Sequence, residues 1–171
     1  MAVLEILHHP DPRLRQKAKP VTAFGADFQR LIDDMFETMY AAPGVGLAAT
    51  QVGIALRVAV MDVSEERSQP IVMVNPEVVS ADDRQIMEEG CLSVPEIKDS
   101  VTRYNRLLLR ALDREGKPFE LQAEGLMAQC VQHEIDHLDG KLYIDYLSSL
   151  KRERITRKLS KEARGRRAAA R

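Results

Sequence analysis

Cysteine is scarce in this 171-residue chain, with only Cys91 and Cys130 present. Two cysteines cannot build the disulfide framework of a small secreted domain. In a reducing compartment they read as a ligand, a reactive thiol or core filler. Long apolar runs are missing too, and none approaches the roughly 18–20 residues needed to cross a bilayer. The opening residues, MAVLEILHHPDPRLRQKAKPV, lack the charged, apolar, then small-residue order of a secretion signal. Both absences point to a cytoplasmic protein with no membrane partner. No internal repeat or linker-like stretch divides the chain, so a single domain over 1–171 is expected. Hydrophobic residues at 44% and charged residues at 30% suit an ordinary globular core.

Net charge is nearly absent, at −1, but it is unevenly spread. Lys151–Arg171 holds ten of the 25 Lys/Arg and two of the 26 Asp/Glu, a balance of +8 that leaves the body at −9. A basic tail on an acidic body suits a polyanionic partner. A solvated terminal helix is the plainer reading of the same charges.

What is present is concentrated in LMAQCVQHEIDHLDG, residues 126–140. It contains His133-Glu134-Ile135-Asp136-His137, an HExxH pattern. At about 100° per residue, Met127, Val131, Ile135 and Leu138 share an apolar arc. Ala128, Gln132, Asp136 and Asp139 fall opposite. Leu126, Cys130, His133 and His137 share a third arc, with Glu134 between it and the apolar one. The wheel predicts a helix bounded by Gly125 and Gly140. On one helix face, histidines four apart can hold one metal ion, and the intervening Glu can handle the proton of a water bound to it. The plainer reading is a buried helix with two hydrogen-bonded core histidines.

Elsewhere, the spacing of Phe28, Leu31, Ile32, Met35, Phe36 and Met39 predicts a helix ending before Pro43. PGVGLAATQVG (43–53) reads as a small-residue loop allowing close backbone approach, with Gln51 its one amide donor. It lacks the Lys-Ser/Thr ending of a phosphate loop. Arg57–Val63, Ile71–Val74, Asn105–Asp113 and Pro118–Ala123 read as strands. Asn75-Pro76 and Asp82-Asp83 read as turns, Arg114–Lys117 as a hairpin turn with Gly116 at positive φ, and His8 and His9 as surface or turn residues. A charged helix is expected from about Ser148. The fold class is α+β: strands of mixed, largely antiparallel sheets packed around a central HExxH-bearing helix, with a helix near each end.

A catalytic metal takes three protein ligands and keeps one position open. Cys130 lies about 10 Å along the helix from His137, too far for one ion; it reads as a small hydrophobe lining the adjoining pocket. Tyr143 occupies the place where a third His would complete the longer HExxHxxGxxH pattern. Glu153 is a downstream carboxylate, but it sits in a strongly basic stretch. Cys91, in a Gly-containing segment between strands, remains as the third ligand. Read alone, it has a plainer second reading as a buried structural thiol.

GVGLAATQ (Gly44–Gln51), EGCLS (Glu89–Ser93) and QHEIDHLDG (Gln132–Gly140) resemble, in order and spacing, the three signature motifs of the peptide deformylases. The likeness extends to HPDPRLR (His9–Arg15) and to the charged C-terminal helix, and is nearest to the form typified by Gram-negative bacteria. The resemblance implies hydrolysis of the N-formyl group of formylmethionine on new polypeptides, with release of formate. It implies metal ligation by Cys91, His133 and His137 and general base, then acid, chemistry by Glu134 on a metal-bound water. The Gln51 side chain and the Leu92 backbone N–H would hold the oxyanion. Val45, Met87, Leu126, Cys130 and the His133 ring would line the methionine pocket, with Gly46, Glu89 and Gly90 also touching substrate. Fe(2+) is the implied ion, with Zn(2+), Ni(2+) or Co(2+) able to replace it. Lys98 stands where some relatives carry Arg; contact to the nascent chain and plain solvation are both open. The implied partners are nascent formylmethionyl chains and the ribosome, reached through the basic tail, with the enzyme a monomer. Two other readings keep the HExxH: an endopeptidase with Glu153 as third ligand, and an RNA-binding module in which the motif is structural.

Overall fold

The computed structural model describes residues 2–169. It is α+β, with one five-stranded antiparallel sheet in the order β1-β2-β3-β4-β5 and three α-helices. In chain order these are α1 (Ala26–Ala41), β1 (Gly46–Ala48), β2 (Val58–Met61), β3 (Ile71–Cys91), β4 (Val94–Leu112), β5 (Pro118–Glu124), α2 (Leu126–Leu138) and α3 (Ser149–Ala169). Every named strand pair is antiparallel. The expected mixture of sheets is thus replaced by one continuous sheet. Among the described residues, parallel pairing is confined to an isolated Lys19–Leu56 bridge.

The β3–β4 hairpin is far longer than the strand patterns suggest. Asn75-Pro76 and Asp82-Asp83 lie inside β3, not in turns between strands. Asn75 (φ 50°) and Asp83 (φ 63°) take left-handed backbone, and the pairing register shifts between Val74 and Glu77 and between Val78 and Ser80. An irregularity absorbs Asn75-Pro76 without ending the strand, and the register runs unbroken past Asp83, from Asp82–Arg106 to Arg84–Tyr104. The hairpin runs on until Cys91 pairs with Val94, so Cys91 sits at the tip of β3 instead of in a loop between strands. The turn after β4 forms as the pattern indicates, with Gly116 at φ 85°.

α1 packs Phe28, Ile32, Met35 and Met39 against Leu47, Val58, Val60 and Val74. Each such fully buried side chain contributes about 1.5–3 kcal/mol. α2 covers the opposite cluster, which contains Met61, Met73, Leu107, Leu109, Ala123, Val131 and Leu138. Ala128, on the arc assigned to solvent, is fully buried, whereas Leu126 is 52% exposed at the helix start. A small side chain suits the face that lies closest to the sheet. α3 buries Ile155 and Leu159 against Val94, Val101 and the segment Leu142–Leu147. Its cations Arg154, Arg157, Lys158, Lys161, Arg164, Arg166 and Arg167 are exposed. His9 lies in a turn, one of its two readings, but is buried there and not at the surface. Its Nε2 lies 2.8 Å from Thr156 Oγ1 of α3.

The loop from α1 to β1 is tied down by Asp62, which is fully buried. Its carboxylate accepts from Tyr40 Oη (2.7 Å), Ser64 N and Oγ (3.0 and 2.5 Å) and Gln69 N (3.3 Å). Its backbone N–H donates to Val45 O at 2.8 Å. Burial opposes the Asp62 charge, yet these donors outweigh it and hold the carboxyl below its ordinary value of 3.8. Asp62→Ala should therefore destabilise by about 2–4 kcal/mol in urea denaturation, because it strands buried donors. A group depressed in the folded state contributes fully above its unfolded pKa and loses that contribution as pH falls through the folded value. The stability gap between wild type and Asp62→Asn should hold steady from about pH 7 to 5 and shrink below 3.8. A gap that widened on acidification would contradict this assignment.

Candidate metal centre

Three elements deliver the site. α2 carries His133 and His137 one turn apart, the tip of β3 carries Cys91, and a 3₁₀ turn after β1 (Ala49–Val52) carries Gln51. Cys91 Sγ lies 3.3 Å from His137 Nε2, which lies 3.1 Å from His133 Nε2. The three donor atoms fall within 4.8 Å of one another. Bonds of about 2.0–2.3 Å from one tetrahedral ion to sulfur and nitrogen require such separations. Glu153 instead lines a separate depression beside α3, with Arg152 and Arg157.

Hydrogen bonds fix how the donors point. His133 Nδ1–H donates to Glu89 Oε1 at 2.7 Å, which turns Nε2 inward. Arg103 Nε and Nη2 grip the same carboxylate at 2.6 and 2.8 Å. Burial opposes ionisation of Glu89, but bonds from Arg103 and His133 prevail and hold it at about 2. His137 is pushed below the ordinary histidine range, first by burial and then by the charge on His133. A neutral His137 ring keeps a nitrogen lone pair to offer a metal ion. The residues therefore fit a divalent metal with one thiolate and two imidazoles.

Glu134 is 3% exposed, and its Oε1 has no partner among the described residues. Burial lifts its carboxyl to about 7, with His133 pulling the other way. Gln51 Oε1 accepts from Ala48 N at 2.9 Å, so the amide NH₂ faces Ser93 Oγ (3.0 Å) and Cys91 Sγ (3.7 Å). These groups open onto a cleft of about 920 Å³ whose walls include Val45, Gly46, Gly90, Leu92, Leu126 and Cys130. Lys98 also borders it, its stem packed over Gly90.

The chain matches the family model described as polypeptide deformylase over residues 3–153. It belongs to the peptide deformylase family. It is 59% identical to the peptide deformylase of Alkalilimnicola ehrlichii over 96% of this chain and 93% of that one. The crystal structure of a peptide deformylase from Legionella pneumophila superposes with a TM-score of 0.92 at 53% identity, covering 96% of this chain and 98% of that one. The Ehrlichia chaffeensis peptide deformylase in complex with actinonin gives 0.91 at 40% identity, covering 95% and 98%. As a deformylase, the chain is a metal-dependent hydrolase that deformylates peptides.

Met87 is half-buried on β3 and does not line the cleft. It lies two strand positions, about 7 Å, beyond Glu89. Glu89 borders the cleft, but both its oxygens are committed to His133 and Arg103, not left free for substrate. Sequence reasoning missed Ser93, Gln129 and Arg103. Gln129 Nε2 donates to Glu88 O at 2.7 Å and so pins α2 to β3. No pattern signal marks Arg103, because its burial is visible only in the structure.

Gly46 is needed for space: a methyl group there would overlap the Glu134 carboxylate and the Cys130 sulfur. Gly46→Ala should cost on the order of 10²-fold in deformylase activity through misplacement of Glu134. Gly25→Ala, with nothing within 4 Å, serves as control. Full activity in Gly46→Ala would show that the deformylase site tolerates a shifted Glu134.

Proposed function

We propose that this deformylase removes the formyl group from N-formylmethionine on newly made polypeptides, using Cys91, His133 and His137 to hold one divalent ion. The observation that carries the proposal is the convergence of those three donors beside the Gln51 amide in one cleft. Likeness to an actinonin-bound deformylase supports a ligand-binding cleft here. Fe(2+) is the proposed resident ion, with Zn(2+), Ni(2+) or Co(2+) as substitutes. When bound, such an ion supplies Lewis acidity, which makes water nucleophilic near neutral pH and polarises a carbonyl.

The remaining steps belong to the chain. Glu134, with its carboxyl near 7, takes the proton of the attacking water and passes it to the departing amine. The Gln51 NH₂ and the Leu92 backbone N–H donate to the formyl oxygen as it gains charge. A preorganised donor of this kind is worth about 10²–10³ in rate. Gln51 needs no reorganisation, since Ala48 and Ser93 already fix its amide. Val45, Leu126, Cys130 and the His133 ring bound an apolar space for methionine, and Gly46 and Gly90 admit the substrate backbone closely. Burial pushes the Cys130 thiol up, so it serves as a neutral wall.

We place these roles in one catalytic domain spanning 1–171, organised about the helix that carries His133–His137, in a cytoplasmic monomer. The exposed cations of α3 are proposed to dock the enzyme on the ribosome. No helix of the described residues is long and apolar enough to cross a membrane.

Glu134→Ala should keep stoichiometric metal yet lose about 10²–10⁴-fold of formate release from formyl-Met peptides. Cys91→Ala should lose the metal, whereas Glu153→Ala should not; elemental analysis decides, and the opposite pattern would favour the endopeptidase reading. Removing 151–171 should weaken ribosome co-sedimentation in a salt-dependent way while leaving turnover of short peptides largely intact. Unchanged co-sedimentation would sink the docking role.

A further inference from the structure

The hydrogen bonds behind His133 do not stop at Arg103. Arg103 Nη1 donates to Asp136 Oδ2 at 2.7 Å, and Asp136 stands on α2 three residues after His133. The contacts therefore close a ring. From His133 on α2 the path runs to Glu89 on β3, to Arg103 on β4, to Asp136, and back along one turn of α2. Tyr146 covers the solvent side: its Oη donates to Asp136 Oδ2 at 2.9 Å, and the Arg103 guanidinium lies 5.1 Å from its ring centroid. Arg103 and Glu89 side chains are 5% and 3% exposed, Asp136 16%, and Tyr146 as a residue 51%.

We propose that Asp136 and Tyr146 are positioning residues that set how tightly the His133 side of the site holds its metal. The proposal rests on the metal-site reading given above. Arg103 and the His133 N–H compete for Glu89 Oε1. Asp136 takes one arm of the guanidinium and offsets its charge, leaving Glu89 a better acceptor for His133. The same bond anchors the planar fork of Arg103 to the helix that bears His133, so Glu89 and His133 cannot drift apart independently. Tyr146 shields the Arg103–Asp136 pair, and its face stacks on the cation. Water reaching this pair would weaken both contacts, since ion pairs lose strength as the local dielectric rises. Partners lying outside the ligand shell, when removed, typically lower metal affinity by 10–100-fold.

The test measures Zn(2+) affinity by competition with a chromophoric chelator, together with thermal unfolding of the metal-free proteins. Wild type should bind one equivalent. Asp136→Asn should bind about 10–100-fold more weakly. Tyr146→Ala should weaken binding several-fold, and Tyr146→Phe, which keeps the ring, less than Tyr146→Ala. Asp136→Glu should recover part of the loss. Tyr146 is half exposed, so Tyr146→Ala should fold even if Asp136→Asn does not. Affinity within twofold of wild type in Tyr146→Ala and in any folded Asp136→Asn would overturn the proposal. So would a loss of affinity matched by an equal loss of metal-free stability, which marks a scaffold role. A wild type that bound no stoichiometric Zn(2+) would overturn the metal-site reading itself, a distinguishable result.

Discussion

The 2.7 Å bond from His133 Nδ1 to Glu89 Oε1 is the contact on which most of the site depends. It selects the ring nitrogen that faces Cys91 and His137, and it requires Glu89 to stay charged in a nearly dry place. Burying a lone carboxylate is costly. Arg103 makes the charge tolerable, and its own charge is met in turn by Asp136. Three charged side chains with little exposure are thus ordered by the needs of one imidazole.

That bond also explains why the hairpin is long and its register strict. Glu89 and Cys91 project from one face of β3, two residues apart. A one-residue slip would turn both away from α2 at once. Close pairing from Glu77 to Gly90 against Lys98 to Arg110 holds them in place. The N-terminal segment adds a brace: Leu7 N–H donates to Gln51 O and His9 N–H to Ser93 O, both at 2.8 Å. The turn bearing the amide donor and the tip bearing the thiol are therefore linked through backbone as well as through the Gln51–Ser93 contact.

Helical order was legible in residues because its period survives in Phe28–Met39 and in Met127–Leu138. The turn at Gly116 was legible because positive φ favours glycine. The length of β3 was hidden, since Asn75-Pro76 and Asp82-Asp83 are turn formers that here lie within the strand, the first at a register shift and the second in unbroken register. Arg103 and Asp136 were hidden because an isolated charge in a strand or on a helix ordinarily faces water. Arg103 meets Glu89 of β3 and Asp136 of α2, pairings distant in sequence that no local pattern records. Cys91 and Glu134 stood out as candidates because metal and proton chemistry restrict the side chains that can serve, and Gln51 stood out through the family resemblance. The space around them was less so: Met87 fits an apolar wall by type and shares the Glu89 face of β3, yet it is not among the residues that line the cleft.

The central claim, that one sulfur and two imidazole nitrogens hold the ion, is tested most directly by X-ray absorption at the metal edge. The zinc-loaded 171-residue protein should give one sulfur at about 2.3 Å and two nitrogens at about 2.0–2.1 Å, with the fourth position filled by a light atom. A first shell without sulfur would contradict the account.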